Sequence, residues 1–300
     1  MKLSLMLLNL THSLFMGEGF CPKENVNPEE YENLLSMVSK AGYKAVDLAD
    51  LEFRYFGADM VKRLLDKYGL TCASIILFEN YGTLDKKSQE IMQNHTKEVI
   101  DAAYTVGCTT MMLVPMAFGS TQPREEMQQG IIENLSALMP YAREKGVQIC
   151  VEDFPSTQVP MCSTQDMDLL LEQVEGLKIV YDNGNMLVEG EDPMEYFYRY
   201  KDRIGYYHVK EVYIVDEEKA LAYGGGNRQV ADRMSDGRYM IPSLHGKGIL
   251  DIKGLFAAMK AENYEGYFSV EYAPGPEDGR DHAKNILETR YLLEQLLEEV

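Results

Sequence analysis

A repeated unit dominates this sequence: an amphipathic stretch ends near a glycine, and a short apolar run follows directly. Six glycines precede such runs: Gly42, Gly69, Gly107, Gly146, Gly176 and Gly266. Glycine is favoured at helix ends because it adopts positive φ without steric cost, and short apolar runs between helices are typical of parallel strands buried on both faces. With further runs at 3–8 and 204–209, the sequence predicts eight strands that alternate with helices.

Eight alternating units predict a closed (β/α)8 barrel, a TIM barrel, forming a single domain over residues 1–300. Start signals support the intervening helices: Asn27 caps one, Ser163 and Asp166 resemble a capping box, and Asp251 opens another. An open, doubly wound sheet is the alternative, but eight regular units without a glycine-rich phosphate-binding motif favour closure. No linker or low-complexity segment divides the chain.

One connection, 216–248, lacks clear periodicity and is predicted to be a long loop over the C-terminal face of the barrel. Between Lys219 and Lys247 this loop carries five basic and two acidic residues, a local charge of 5 − 2 = +3. The local positive charge has two equally good explanations. The segment is either a solvated surface loop or a lid that attracts an anionic or polyhydroxyl substrate. Under the second hypothesis Arg228, Arg238 or Lys247 contacts the distal end of the substrate.

The composition narrows the class of partner. The formal charge is 29 − 48 = −19, and a surface this acidic repels phosphate backbones, so no nucleic acid partner is expected. No apolar run approaches the ~20 residues that span a bilayer, so no membrane partner is expected either. The five cysteines are odd in number and lack C-x-x-C spacing, which indicates reduced thiols and a cytoplasmic protein.

Four consecutive predicted strands deliver an acid or a histidine where the apolar run stops: Glu152, Asp182, His208 and Glu271. The C-terminal ends of barrel strands line the active site. Any one of these residues alone is more often a salt-bridge partner or a structural histidine. Together, three carboxylates and an imidazole predict one divalent metal ion, and these ligand types suit Mn²⁺, Co²⁺, Mg²⁺ or Zn²⁺.

These segments resemble the xylose isomerase-like barrel superfamily, in particular its sugar phosphate isomerase/epimerase group. The resemblance covers essentially the whole chain, and its most specific parts are VE at 151–152, YDNGN at 181–185, HVKE at 208–211 and VEY at 270–272. It implies that the four matching residues bind one divalent metal, usually Mn²⁺. It also implies that the metal stabilises an enediolate while Glu152 and Glu271 act as the acid/base pair. Relatives are often dimers or tetramers, so a homodimer or homotetramer is the implied assembly.

The chain departs from the family pattern in ways that leave the substrate open. Asn185 stands where many members have a histidine that helps to hold substrate, and Asp153 stands where an asparagine is common. Lys247 replaces an acid in the GKG segment. Asn185 and Lys210 are candidate substrate contacts, although a salt bridge with a nearby acid is an equally good interpretation of Lys210. Two further candidates are Glu79 at the end of the third strand and His12 after the first.

The leading hypothesis is therefore an isomerase or epimerase of a small sugar, sugar phosphate or hydroxy-keto acid. The alternative is a metal-dependent lyase or dehydratase acting on a sugar or cyclitol, distinguished by loss of water. A nuclease resembling endonuclease IV is disfavoured, because the segments after the third and fourth strands lack the extra histidines of a three-metal site. A non-catalytic sugar-binding barrel would be expected to have lost metal ligands, and none of the four is lost.

Overall fold

The structure, a computed structural model, describes residues 1–17, 21–115, 121–223, 231–275 and 278–300. Eight parallel strands form a closed barrel in the order β1-β11-β7-β6-β5-β4-β3-β2. In chain order they are β1 (Lys2–Met6), β2 (Ala45–Ala49), β3 (Thr71–Glu79), β4 (Thr110–Pro115), β5 (Gln148–Glu152), β6 (Lys178–Asp182), β7 (Ile204–Val209) and β11 (Tyr267–Val270), with β8 to β10 in a separate sheet. The predicted TIM barrel, including each of its eight strands, is confirmed.

The helices surround this barrel. They are α1 (Leu8–Phe15), α2 (Pro28–Lys40), α3 (Asp50–Phe56), α4 (Ala58–Tyr68), α5 (Lys86–Val106), α6 (Arg124–Glu144), α7 (Thr164–Gln173), α8 (Pro193–Tyr200), α9 (Glu217–Tyr223), α10 (Ile252–Ala261) and α11 (His282–Glu298). The predicted caps are present: Asn27 accepts from the Glu29 amide, and Ser163 and Asp166 form the capping box of α7. No helix in the described ranges is long and apolar enough to cross a membrane.

The barrel strands bury both of their faces, as the apolar runs predict. One cluster packs inside the barrel and includes Met112, Cys150, Val180 and Tyr206. A larger cluster fills the layer between the strands and the helices. Because side chains alternate across a strand, Tyr206 and His208 of β7 point into the barrel. This packing inside the barrel thus supports the polar residues at the C-terminal ends of the strands.

The 216–248 segment, predicted to be a long loop, contains regular structure instead. Its described residues include α9, β9 (Asp232–Arg233) and β10 (Tyr239–Pro242). The two strands join β8 (Val212–Val215), which precedes α9, in a three-stranded antiparallel sheet ordered β8-β10-β9. We call this the inserted sheet. Strands of two to four residues are too short to produce a recognisable alternation in the sequence. Their pairing comes from the hairpin between β9 and β10 and from the start of β8 soon after β7.

Candidate metal centre

The four predicted ligands converge at the C-terminal end of the barrel. Glu152 and Asp182 are the last residues of β5 and β6, His208 lies near the end of β7, and Glu271 directly follows β11. These strands are neighbours, with Asp182 and Ser269 paired in register with His208. One ligand atom from each of the four residues lies within 4.8 Å of the others, and within the described ranges this is the one such group of three or more.

The side-chain atoms that could bind a metal ion are buried, and some of them lack a hydrogen-bond partner. Nδ1 of His208 lies 2.6 Å from Oε1 of Glu152 and 3.8 Å from Oε2 of Glu271. Within the described part of the chain, Nε2 of His208 and Oδ2 of Asp182 have no hydrogen-bond partner. Buried polar atoms are rarely left unpaired, and three carboxylate groups with one imidazole match the ligands of a divalent transition metal. The residues present therefore fit such an ion.

The electrostatics of the centre also favour a bound cation. Burial lowers the pKa of His208, but the neighbouring Glu152 and Glu271 carboxylates outweigh it and raise that pKa to about 9. Burial raises the pKa of Asp182. Burial acts in the same direction on Glu271, yet Lys210 and His208 lower the pKa of Glu271 below its ordinary value. The carboxylates thus create a negative environment around His208, in which a divalent ion bound to the neutral imidazole would take the place of the proton.

Lys210 reaches into the centre from the residue after β7. Its Nζ lies 3.1 Å from Oε1 of Glu271 and 3.4 Å from Oδ2 of Asp182, and it donates to Oδ1 of Asn185 at 2.7 Å. Burial lowers the pKa of Lys210, and the Asp182 and Glu271 carboxylates more than reverse this, so the ammonium stays charged. The structure thus shows Lys210 paired with acids, which are the predicted ligands Asp182 and Glu271. Substrate contact by Lys210 or Asn185 stays a prediction.

The YDNGN turn after β6 fixes the position of Asp182. Its Oδ1 accepts from the amides of Gly184 and Asn185, both at 2.8 Å. Asn183 joins the turn to β7, because it accepts from the Lys210 amide at 2.8 Å and donates to the Lys210 carbonyl at 3.2 Å. A Cβ on Gly184 would lie 3.1 Å from Cδ of Lys210, so a larger residue would crowd that side chain. Sequence reasoning did not single out Asn183.

Asp153 is a second residue whose environment the sequence did not reveal. Its side chain is fully buried, and neither carboxyl oxygen has a hydrogen-bond partner in the described residues. Burial, reinforced by the charges of Asp182 and Glu152, raises its pKa well above the ordinary value and so favours the protonated form. Its backbone carbonyl accepts from Nδ2 of Asn185 at 2.7 Å, which holds Asn185 beside Lys210.

Two more of the predicted substrate contacts, Glu79 and His12, lie at the end of β3 and in the helix after β1. Glu79 ends β3 and is bonded to Nδ1 of His95 on α5 at 2.6 Å. Nε2 of His95 also lies 3.8 Å from Oδ2 of Asp50. His12 lies in α1 and is half-buried. Substrate contact by Glu79 or His12 stays a prediction.

The predicted basic contacts of the 216–248 segment are engaged elsewhere or lie outside the described residues. Arg238 forms an exposed ion pair with Asp236 at 2.7 Å. Lys247 pairs with Oδ1 of Asp278 at 2.6 Å. Arg228 falls outside the described ranges. The local excess of positive charge is therefore partly neutralised by acids, one of which lies far along the chain, and substrate contact by these residues stays a prediction.

Comparison with known proteins identifies the family to which this chain belongs. A model of xylose isomerase-like TIM barrels matches residues 35–290. The chain belongs to the xylose isomerase-like TIM barrel family. The resemblance seen in the strand-end motifs is thereby confirmed, and the four converging residues occupy the strand ends where TIM barrels build their active sites.

Curated relatives by sequence are named inosose dehydratase. The protein from Geobacillus thermodenitrificans (strain NG80-2) is 30% identical over 154 residues, 51% of this chain and 49% of that protein. The chain thus spans about half the length of that relative in the match. The protein from Clostridium perfringens (strain 13 / Type A) is 23% identical over 288 residues, 91% of each chain. These relatives are enzymes, and they support an enzyme of the kind that modifies sugars on a TIM barrel.

Solved structures share the fold at low identity. An L-ribulose 3-epimerase superposes with a TM-score of 0.74 at 14% identity, covering 100% of this chain and 95% of that one. The IOLI protein, whose crystal structure holds a zinc atom, gives a TM-score of 0.72 at 16% identity, covering 100% and 99%. At this level of identity the likeness shows the fold alone.

The comparison corrects the expected activity. The sequence motifs predict an isomerase or epimerase as the leading function, but the curated relatives by sequence are dehydratases, over as much as 91% of the chain. The epimerases are structural neighbours below 25% identity. The prediction was wrong because the strand-end motifs identify the barrel and a candidate metal site, and similar barrels include both dehydratases and epimerases.

Proposed function

We propose that this chain is a metal-dependent dehydratase that removes water from a keto-cyclitol, such as an inosose, or from a similar polyhydroxylated ketone. The convergence of Glu152, Asp182, His208 and Glu271 within 4.8 Å carries the proposal. The relatives named inosose dehydratase support the choice of a lyase over other reactions of the family.

The four residues would hold one divalent ion, which the family resemblance suggests is Mn²⁺ and a solved neighbour suggests is Zn²⁺. When bound, such an ion polarises the substrate carbonyl and so acidifies the adjacent C–H bond. Asp182 and His208 serve as ligands only. The turn that holds Asp182 through two amide hydrogen bonds keeps this ligand oriented.

Glu271 is the carboxylate to which we assign the proton abstraction. Its pKa is held down against burial by Lys210 and His208, so it is ionised and ready to accept a proton. Its side chain is also more exposed than that of Glu152, at 20% against 9%, and so is more open to the space above the barrel. Lys210, 3.1 Å from Glu271, would donate a hydrogen bond to a substrate oxygen beside the reacting carbon.

The proposal is tested by incubating the purified protein with an inosose and Mn²⁺ or Zn²⁺. Mass spectrometry and proton NMR then identify the product. We expect a product lighter by one water, formed only with added metal and abolished by a chelator. Glu271→Gln should lower the rate by ~10²-fold or more, whereas Glu265→Gln, at an exposed position outside the centre, should not change it. A product of unchanged mass, or no product with either metal, would contradict the proposal.

A further inference from the structure

The inserted sheet lies over the barrel mouth with two different faces. On one side it contacts α9, and Tyr239 of β10 donates a hydrogen bond to Glu217 of that helix at 3.5 Å. On the other side Met234 and Met240 pack with residues that follow barrel strands, in a small apolar cluster that also contains Cys162, Val188 and Val212. Because Cys162 follows β5, Val188 follows β6 and Val212 follows β7, this second face packs on the segments at the C-terminal end of the barrel, the end at which the candidate metal centre lies.

The register of the sheet assigns Asp232 to that same face. In β9 and β10, Asp232 is paired with Met240, and directly opposed residues of antiparallel strands point to the same side. Met234 lies two residues beyond Asp232, which again places the two on one side of an extended segment. Both buried methionines therefore share a face with Asp232, and the carboxyl group is directed toward the barrel.

The hairpin that carries Asp232 is held in place by the backbone. The Ser235 amide donates to the Val188 carbonyl at 2.7 Å, which ties the hairpin to the 3₁₀ helix after β6. Within the hairpin the Met234 amide donates to the Arg238 carbonyl at 2.9 Å. These hydrogen bonds and the apolar cluster hold Asp232 in a fixed position relative to the end of the barrel.

The charges of the centre act on Asp232. Protein surrounding the carboxyl raises its pKa to about 6, with Lys210 lowering and Glu271 raising it. The residue is nevertheless exposed to solvent. Lys210 and Glu271 are therefore near enough to change the pKa of Asp232, and the register of the sheet places its carboxyl group on the side that faces the barrel.

We propose that Asp232 is a further catalytic residue, the acid that protonates the hydroxyl group as it departs from the substrate. This assignment rests on the dehydratase function proposed above. Glu271 takes the proton from the carbon beside the carbonyl, and the electron pair of that C–H bond is held first in an enolate and then forms the new carbon–carbon double bond. The C–O bond to the leaving hydroxyl breaks with its electron pair on oxygen, and Asp232 supplies the proton that completes one water molecule. Solvent then returns a proton to Asp232 and removes one from Glu271.

Two measured reactions, hydrogen exchange beside the carbonyl and loss of water, distinguish a catalytic role of Asp232 from a structural one. In D₂O the parent should exchange the hydrogen beside the carbonyl and should also eliminate water. Asp232→Asn keeps Glu271 and the metal ligands, so we expect exchange within a few-fold of the parent and dehydration slower by ~10²–10⁴-fold. Metal content per chain should be unchanged. Asp236→Asn, in the same hairpin and paired with exposed Arg238, should leave both rates unchanged, and Asp232→Glu should recover part of the dehydration rate.

The outcomes distinguish the two proposals. If Asp232→Asn dehydrates within about three-fold of the parent, or loses exchange and dehydration equally, the assignment of Asp232 is overturned while the dehydratase function stands. If Asp232→Asn is poorly folded by thermal unfolding, the Asp232→Glu variant decides: equal loss of both reactions overturns the assignment, and selective loss of dehydration supports it. A parent that binds metal but neither exchanges nor dehydrates overturns both proposals.

Discussion

At the scale of single residues, Lys210 connects the candidate metal ligands with the space in which a substrate would bind. Lys210 is the residue that follows β7, and its ammonium group contacts Glu271, Asp182 and Asn185. Proximity of one positive charge to two carboxylates helps to keep Glu271 ionised. The same charge opposes the binding of a second cation nearby. Removing it should therefore weaken proton abstraction without removing a metal ligand.

We predict that Lys210→Met lowers kcat/KM for dehydration by ~10²-fold, because Glu271 loses its ionic partner and the substrate loses a hydrogen-bond donor. Metal content per chain, measured by elemental analysis, should be at least that of the parent. Lys253→Met removes an exposed lysine that pairs with Glu299, and this control should behave as the parent does. Loss of metal in Lys210→Met, or unchanged kcat/KM, would count against the assigned role.

At the scale of elements, the first turn of α3 holds a buried carboxyl group away from the metal centre. Glu52 is fully buried, and its Oε2 accepts from the Ala49 amide at 3.0 Å. Burial raises its pKa from 4.5 to about 8. The folded chain therefore keeps a proton on Glu52 at a pH where the unfolded chain has lost it. Because the native state binds the extra proton, stability contributed by this group is present below pH 4.5 and declines as the pH rises to about 8.

We predict that Glu52→Gln, which retains an acceptor but has no proton to lose, removes this part of the pH dependence. The free energy of unfolding of the parent, measured with urea in the presence of a chelator, should fall more steeply between about pH 5 and 8 than that of the variant. Glu265→Gln, at an exposed position, should follow the parent. Parallel curves for parent and Glu52→Gln would show that Glu52 is ionised in the folded state.

The elements also show which features sequence patterns specify. Short apolar runs, six of them directly after glycines, predicted all eight barrel strands, because burial on both faces requires an unbroken apolar run. The four converging residues were predicted from their place at strand ends. The inserted sheet was not, because β9 has only two residues and its register depends on pairing with β10. Asp232 was consequently counted only as a loop charge.

Long-range pairing explains the remaining differences at the site. Lys247 pairs with Asp278, a partner 31 residues away that a local charge count does not include. Glu79 likewise bonds His95 across a helix–strand contact. Asp153 follows a predicted ligand, but its complete burial depends on the packing of the loops around it. Sequence thus predicts which side chains lie at the ends of the barrel strands and does not predict which of them are already paired there.

At the scale of the whole molecule, the barrel confines its reactive groups to one end. The eight parallel strands bring their C-terminal ends together there, and the inserted sheet adds an acid from above. The overall charge of −19 argues against a polyanionic partner, and it is compatible with a small uncharged substrate that is held by a metal ion and a few polar side chains. The family supplies the metal-binding barrel, and the residues around the mouth determine the reaction.

The central claim is that dehydration depends on one divalent ion held by the four converging residues. The most direct test measures metal content and the dehydration of an inosose together, in the parent, in His208→Asn and in a control, His95→Asn, whose histidine lies outside the centre. We predict about one ion per chain and measurable dehydration in the parent and the control, with both lost in His208→Asn. Full dehydration by a parent stripped of metal, or by His208→Asn without an ion, would contradict the account.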